Sequence, residues 1–156
     1  MGRNKRYSGF SLLELVIVVV IVGIIAAIAI PRMSRGSAGA ADAALSGDLA
    51  VLRNAIDMYA AEHNGNFPSA RDIEEQLLEY TDSDGNTRST PNETHIYGPY
   101  LRKIPPLPVG SHKGCTQIRT SSNNNTGWIY DPDTGEIHAN CSNRERDAAG
   151  TRYNEY

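Results

Sequence analysis

The chain predicts an α+β fold: a long amino-terminal α-helix, transmembrane in its first half and amphipathic in its second, packed on a small antiparallel β-sheet head. Three observations predict it. Residues 10–30 form an apolar run whose one charged side chain is Glu14. Beyond it, Ala38, Ala41, Leu45, Leu49, Leu52, Ile56 and Tyr59 recur at steps of three and four, the repeat of one helix face. Further on, residues 126–130 and 136–141 alternate around the turn-forming Asp131-Pro132-Asp133-Thr134-Gly135, which is a hairpin signal. The expected divisions are a leader at 1–9, a transmembrane helix at 10–30, its amphipathic continuation at 31–63 and a globular head at 64–156.

The apolar run comes first. Its 21 residues make a helix of about 31 Å at 1.5 Å per residue, matching a hydrocarbon core of about 30 Å. Arg3, Lys5 and Arg6 precede the run and only Arg32 and Arg35 closely follow it, so the start stays in the cytoplasm and the rest is exported. A secretory signal peptide cut after Ala27-Ile28-Ala29 is the alternative; Glu14 and the length of the run count against it. A carboxylate in such a segment costs roughly 2.5–3.5 kcal/mol on insertion scales, which asks for a use.

The amphipathic half follows. Arg53 and Asp57 lie four apart on its exposed side and can pair weakly. Gly65 supplies a left-handed cap and Pro68 prevents continuation, so the helix ends near residues 63–66. Residues 10–63 as one helix give a rod of about 80 Å. Pro31 removes a backbone hydrogen bond and bends it, and Gly36 and Gly39 weaken the next turns by roughly 1 kcal/mol each.

In the head, Ser69 reads as the N-cap of a short helix at 70–80. Residues 81–94 read as a polar surface loop without a core role. Within it Asp82, Asp84 and Asn86 space oxygen ligands two apart around Gly85, a weak calcium pattern that is also ordinary turn chemistry. No other metal or cofactor is expected. Pro105, Pro106 and Pro108 force an extended connector. A strand near 117–120 joins the hairpin as a third antiparallel strand, Trp128 and Tyr130 on one face and Ile137, Ala139 and Cys141 on another. Residues 143–156 read as a polar, mobile tail.

Cys115 and Cys141 have 25 residues between them, both on the exported side, which favours a disulfide over two free thiols or a zinc site. Closing that loop stabilises by roughly 3.5 kcal/mol in the loop-entropy description. Without its first nine residues the chain keeps 12 of its 15 basic residues against 18 acidic, a net −6. That balance argues against phosphate-backbone binding and hence against a nucleic-acid partner, leaving Arg144, Arg146 and Arg152 as a local basic patch. His63, His95, His112 and His138 are scattered, and no serine elbow or zinc spacing organises them, so the reading is not enzymatic.

The basic leader ending in Gly9, then Phe10-Ser11-Leu12-Leu13-Glu14, the apolar run and Pro31 resemble the prepilin signature of type IV pilins and type II secretion pseudopilins. The resemblance implies a pilin-like fold and cleavage between Gly9 and Phe10 by a prepilin peptidase that then methylates the new amino group of Phe10. It implies that Glu14 engages the amino terminus of a neighbouring subunit, Phe10, in a homo-oligomeric filament. A carboxylate and an ammonium brought together in low dielectric each relieve the other's desolvation cost. Tyr97-Gly98-Pro99-Tyr100-Leu101 resembles a segment of many major pseudopilins. The acidic, glycine-rich calcium run of that family is missing here, so its ion is not carried over.

The resemblance therefore implies the major pseudopilin of a type II secretion system. Such a subunit is single-pass in the bacterial inner membrane with a periplasmic head, and it enters a periplasmic filament with an inner-membrane assembly platform and minor pseudopilins. The rivals are a true type IV pilin, for adhesion, motility or DNA uptake, and a secreted or tethered binding module.

Overall fold

The structure is a computed structural model that describes residues 10–156, except for the side chains of residues 30–37. The chain divides into two compact units, Met1–Ser37 and Ala38–Tyr156. Helix α1, Leu12–Glu62, has residues in both. In the first unit the segment Leu12–Ala29 is long and apolar enough to cross a membrane, and none of it is buried. Pro31, where a bend is expected, falls inside α1, and its side chain is not among those described.

The second unit is built on the predicted stripe of α1. Leu45, Leu49, Leu52, Ile56 and Tyr59 are all buried, meeting Ile73, Leu77, Leu107, Ile118, Trp128, Tyr130 and Ile137 in one core. Each fully buried side chain of that size contributes roughly 1.5–3 kcal/mol. Helix α1 stops where expected. Asn64 and Gly65 both take positive φ, 57° and 84°, and the Gly65 amide donates to the Ala60 carbonyl at 2.8 Å. This left-handed cap satisfies a carbonyl that the helix would otherwise leave orphaned.

Helix α2 is shorter than predicted, Ile73–Leu78, with Asp72 at its N-cap and no side-chain cap bond. Ser69 acts one turn earlier. Its hydroxyl accepts the Asp72 amide at 3.1 Å, tightening a non-helical turn, while the Ser69 amide donates to Gln76 Oε1 at 2.7 Å. The amides of Tyr100 and Leu101 both donate to the Leu77 carbonyl, at 3.0 and 2.9 Å. That ties the Gly98-Pro99-Tyr100-Leu101 segment to the end of α2.

Two sheets complete the head. Strands β1 (Tyr80–Thr81) and β2 (Thr87–Arg88) pair antiparallel where plain loop is expected, with Tyr80 taken from the end of the predicted helix. Strands β3 (Gln117–Arg119), β4 (Thr126–Tyr130) and β5 (Ile137–Ala139) form the second sheet in that order. The β4–β5 hairpin is as expected, with Trp128 opposite Ala139 and Tyr130 opposite Ile137. Paired residues share a side of the sheet, so both sets face the core together rather than on separate faces. At the turn, Gly135 has φ 74°, and a methyl there would stand 2.5 Å from the Phe67 ring.

Strand β3 corrects the all-antiparallel expectation. It pairs parallel to β4, with a bulge between Gln117 and Ile118. Parallel neighbours ordinarily need a crossover of a dozen residues. Here β3 is so short that the polar segment 120–125, able to extend about 20 Å, returns to its start.

The tail is ordered, against expectation. Tyr153–Glu155 forms a 3-10 turn, Tyr153 and Tyr156 pack on the core, and the Tyr153 hydroxyl donates to Asp42 Oδ1 of α1 at 2.9 Å.

Candidate assembly site and head chemistry

The start of α1 carries the candidate assembly residues. Ser11 and Glu14 stand in the Ser-x-x-Glu spacing of a capping box. The Ser11 amide donates to Glu14 Oε2 at 3.4 Å, a long bond. Glu14 therefore occupies the first turn, where a carboxylate complements the positive end of the helix dipole. The Ser-x-x-Glu spacing makes this local role legible in the sequence. Around it Phe10 is 75 % exposed, Leu12 80 % and Leu13 67 %. The site is thus an acidic group ringed by apolar side chains that stay exposed among the described residues. Gly9, and with it the processing junction to Phe10, lies outside the described residues.

Residues 4–30 match the family model described as the prokaryotic N-terminal methylation motif. The match supports a type IV pilin-like prepilin. Neither the curated proteins nor the solved structures yield a match to this chain. A prepilin motif implies processing by a prepilin peptidase and assembly into a filament in general, and its family is structural rather than enzymatic. With the apolar helix it fits an inner-membrane-anchored pilin.

The remaining candidate residues sit in the head. Asp82, Asp84 and Asn86 form a turn in which Asp82 does the accepting. Its Oδ1 takes the amides of Asp84 and Asn86 at 3.0 and 2.9 Å, and its Oδ2 takes Asn86 Nδ2 at 2.9 Å. The Asn86 side chain, chiefly, holds the Asp82 carboxyl below its ordinary value. Among the described residues no group of three His, Cys, Asp or Glu side chains is arranged to hold a metal.

Cys115 and Cys141, the expected disulfide pair, both stand as free thiols in this structure. The Cys115 carbonyl accepts the Leu107 amide at 2.9 Å, and the Asn140 amide donates to the Gly127 carbonyl at 2.9 Å. Burial, with Glu145 nearby, pushes the Cys141 thiol up to about 12.

Arg53 does not find Asp57. Its guanidinium donates to the Ile137 carbonyl at 3.2 Å and to the Tyr156 carbonyl, joining α1, β5 and the tail. Glu145 accepts the Ser142 amide at 2.6 Å and the Ser111 amide. Burial works against its ionisation, but these donors prevail and hold its carboxyl below the ordinary value. Asp147 is likewise lowered, first by the Tyr156 hydroxyl at 2.6 Å and then by backbone amides. Of the basic patch, Arg146 donates to the Gly150 carbonyl at 2.8 Å and Arg152 pairs with Glu155 at 2.8 Å, while Arg144 is exposed. His63 is buried, stacked on Tyr59 with ring centres 3.8 Å apart.

Proposed function

We propose that the chain is the major pseudopilin of a type II secretion system. It waits in the inner membrane and enters a periplasmic fibre, raised on an assembly platform and begun by minor pseudopilins, that drives exported proteins outward. The observation that carries this reading is the uncovered apolar helix Leu12–Ala29 with one carboxylate, Glu14, in its first turn. A lone protomer leaves both unmatched, and a staggered neighbour offering the methylated amino group of Phe10 matches both. One feature favours the pseudopilin over a true pilin: the Tyr97–Leu101 sequence, bound at α2. No cofactor enters the reading.

Amino-terminal sequencing of membrane-extracted protein tests the processing. A chain that begins at methylated Phe10 supports the filament reading, whereas one that begins near Ile30 points to a secreted module. Glu14→Ala should leave processing intact and abolish filament formation. Loss of exoprotein release on deletion marks the pseudopilin, and long surface fibres in the wild type mark the pilin.

A further inference from the structure

Beside the Asp82–Asn86 turn lies a cavity of about 310 Å³ whose walls include Tyr59, His63, Phe67, Gln76, Ser83 and Asp84. Tyr59, His63 and Gln76 are buried polar groups, and two of the three are spent on the fold. Gln76 accepts the Ser69 amide at 2.7 Å and donates to the Gly85 carbonyl at 2.9 Å. The ring nitrogens of His63 lie 2.8 and 2.9 Å from the Tyr59 and Asp82 carbonyls.

Tyr59 is different. It is only 3 % exposed and its ring is stacked on His63, yet its hydroxyl has no hydrogen-bond partner among the described residues. That hydroxyl reaches the turn: a methyl on Gly85 would stand 2.5 Å from it. A buried polar group is costly to leave unpaired, and the cavity is where a partner for it can stand.

The charges on the turn decide the partner. Asp84 lines the cavity and Asp82 is two residues before it, and among the described residues neither enters an ion pair. No Lys or Arg lines the cavity among the described residues. Burial first, and then the Asp82 charge, pushes the Tyr59 hydroxyl above its ordinary value, which places that carboxylate within electrostatic reach. Both Asp82 oxygens are already taken by donors of the turn. What remains is the Asp84 carboxylate with the Tyr59 and Ser83 hydroxyls. These are too few oxygens for a calcium ion, which takes about six to eight. They match an ammonium, whose N–H groups each need one acceptor and whose alkyl stem can lie on the Phe67 ring.

We propose that this cavity binds the ammonium end of an alkyl chain, accepted by Asp84 and the Tyr59 hydroxyl, whether on a free amine or on a lysine side chain of a polypeptide. The inference goes beyond the filament reading, and each can fail alone, since neither processing before Phe10 nor the Glu14 contact uses this cavity.

The test follows the backbone amides of residues 83–86 by NMR, with the full chain in nonionic detergent. The probes are n-butylammonium chloride, Nα-acetyl-lysine methylamide and, as the uncharged isostere, n-butanol. Both cations should shift these amides saturably, at least ~10-fold more tightly than n-butanol, and more weakly as salt rises. Tighter binding of the lysine derivative marks a polypeptide side chain as the source, and equal binding a free amine. Asp84→Asn should weaken both cations by ~10-fold and Tyr59→Phe, which keeps the ring on His63, by ~3-fold or more. Asp133→Asn, on the β4–β5 turn, should change nothing. Near-UV circular dichroism checks the fold, and if Tyr59→Phe disturbs it, Asp84→Asn, on the exposed turn, carries the test alone. No saturable shift with either cation, an equal response to n-butanol, indifference to Asp84→Asn, or tighter saturation of the same amides by calcium chloride would each overturn the proposal.

Discussion

Replacing Arg53 with methionine separates the contact the structure shows from the one that helix spacing suggests. The side chain keeps most of its aliphatic reach, so packing changes little while two hydrogen bonds are lost, to the Ile137 and Tyr156 carbonyls. A charged donor to a carbonyl contributes roughly 1.5–3 kcal/mol when desolvated. Arg53 is partly open to water, so we reduce the pair to about 1–2 kcal/mol in total. For a unit of roughly a hundred residues each kcal/mol moves Tm by about 4 °C, giving an expected drop of about 4–8 °C. Thermal unfolding followed by near-UV circular dichroism in detergent reads it, with Asp57→Ala and the double variant completing a cycle. The geometry requires no coupling between Arg53 and Asp57. A Tm unchanged in Arg53→Met, or a coupling above about 0.5 kcal/mol in the cycle, refutes the assignment of Arg53 to the carbonyls.

Acid should loosen the head before it loosens the core. Asp82, Glu145 and Asp147 have folded values below their ordinary ones, so their contribution is complete above the unfolded values near pH 4 and is lost as pH falls through the folded values. Unfolding scans from pH 7 to pH 3 should show Tm falling below about pH 4, and Glu145→Gln should flatten that fall. Denatured, unreduced protein should titrate as two thiols, and at pH 8 the native Cys141, half-buried and raised to about 12, should react far more slowly with a thiol reagent than Cys115. Gly135→Ala combines a φ of 74° with a clash at Phe67; chemical denaturation should show a loss of about 1–3 kcal/mol. A smaller loss would mean that the turn simply shifts.

The parts of this fold that were legible in the sequence are those whose cause is local. The stripe from Leu45 to Tyr59 repeats within each turn of helix, Gly65 ends α1 by its own backbone freedom, and the β4–β5 hairpin follows from five turn residues. The parts that were hidden are decided by distant partners. Tyr153 is ordered by Asp42 and Arg53 is claimed by Ile137 and Tyr156, pairings that no sequence window contains. Strand β3 is three residues long, too short for any pattern to state its direction. At the candidate assembly site, a capping box and a membrane carboxylate share the same letters, so the hydrogen bond from Ser11 to Glu14 does not stand out from the sequence.

The bond between Tyr153 and Asp42 brings the first turns and the last turn of the head together. A body whose ends touch can be cut elsewhere and rejoined. Linking the two ends with a few glycines and opening the chain at the 89–94 loop should give a circular permutant with the same core, and that loop is where a foreign epitope could be displayed without disturbing the interior.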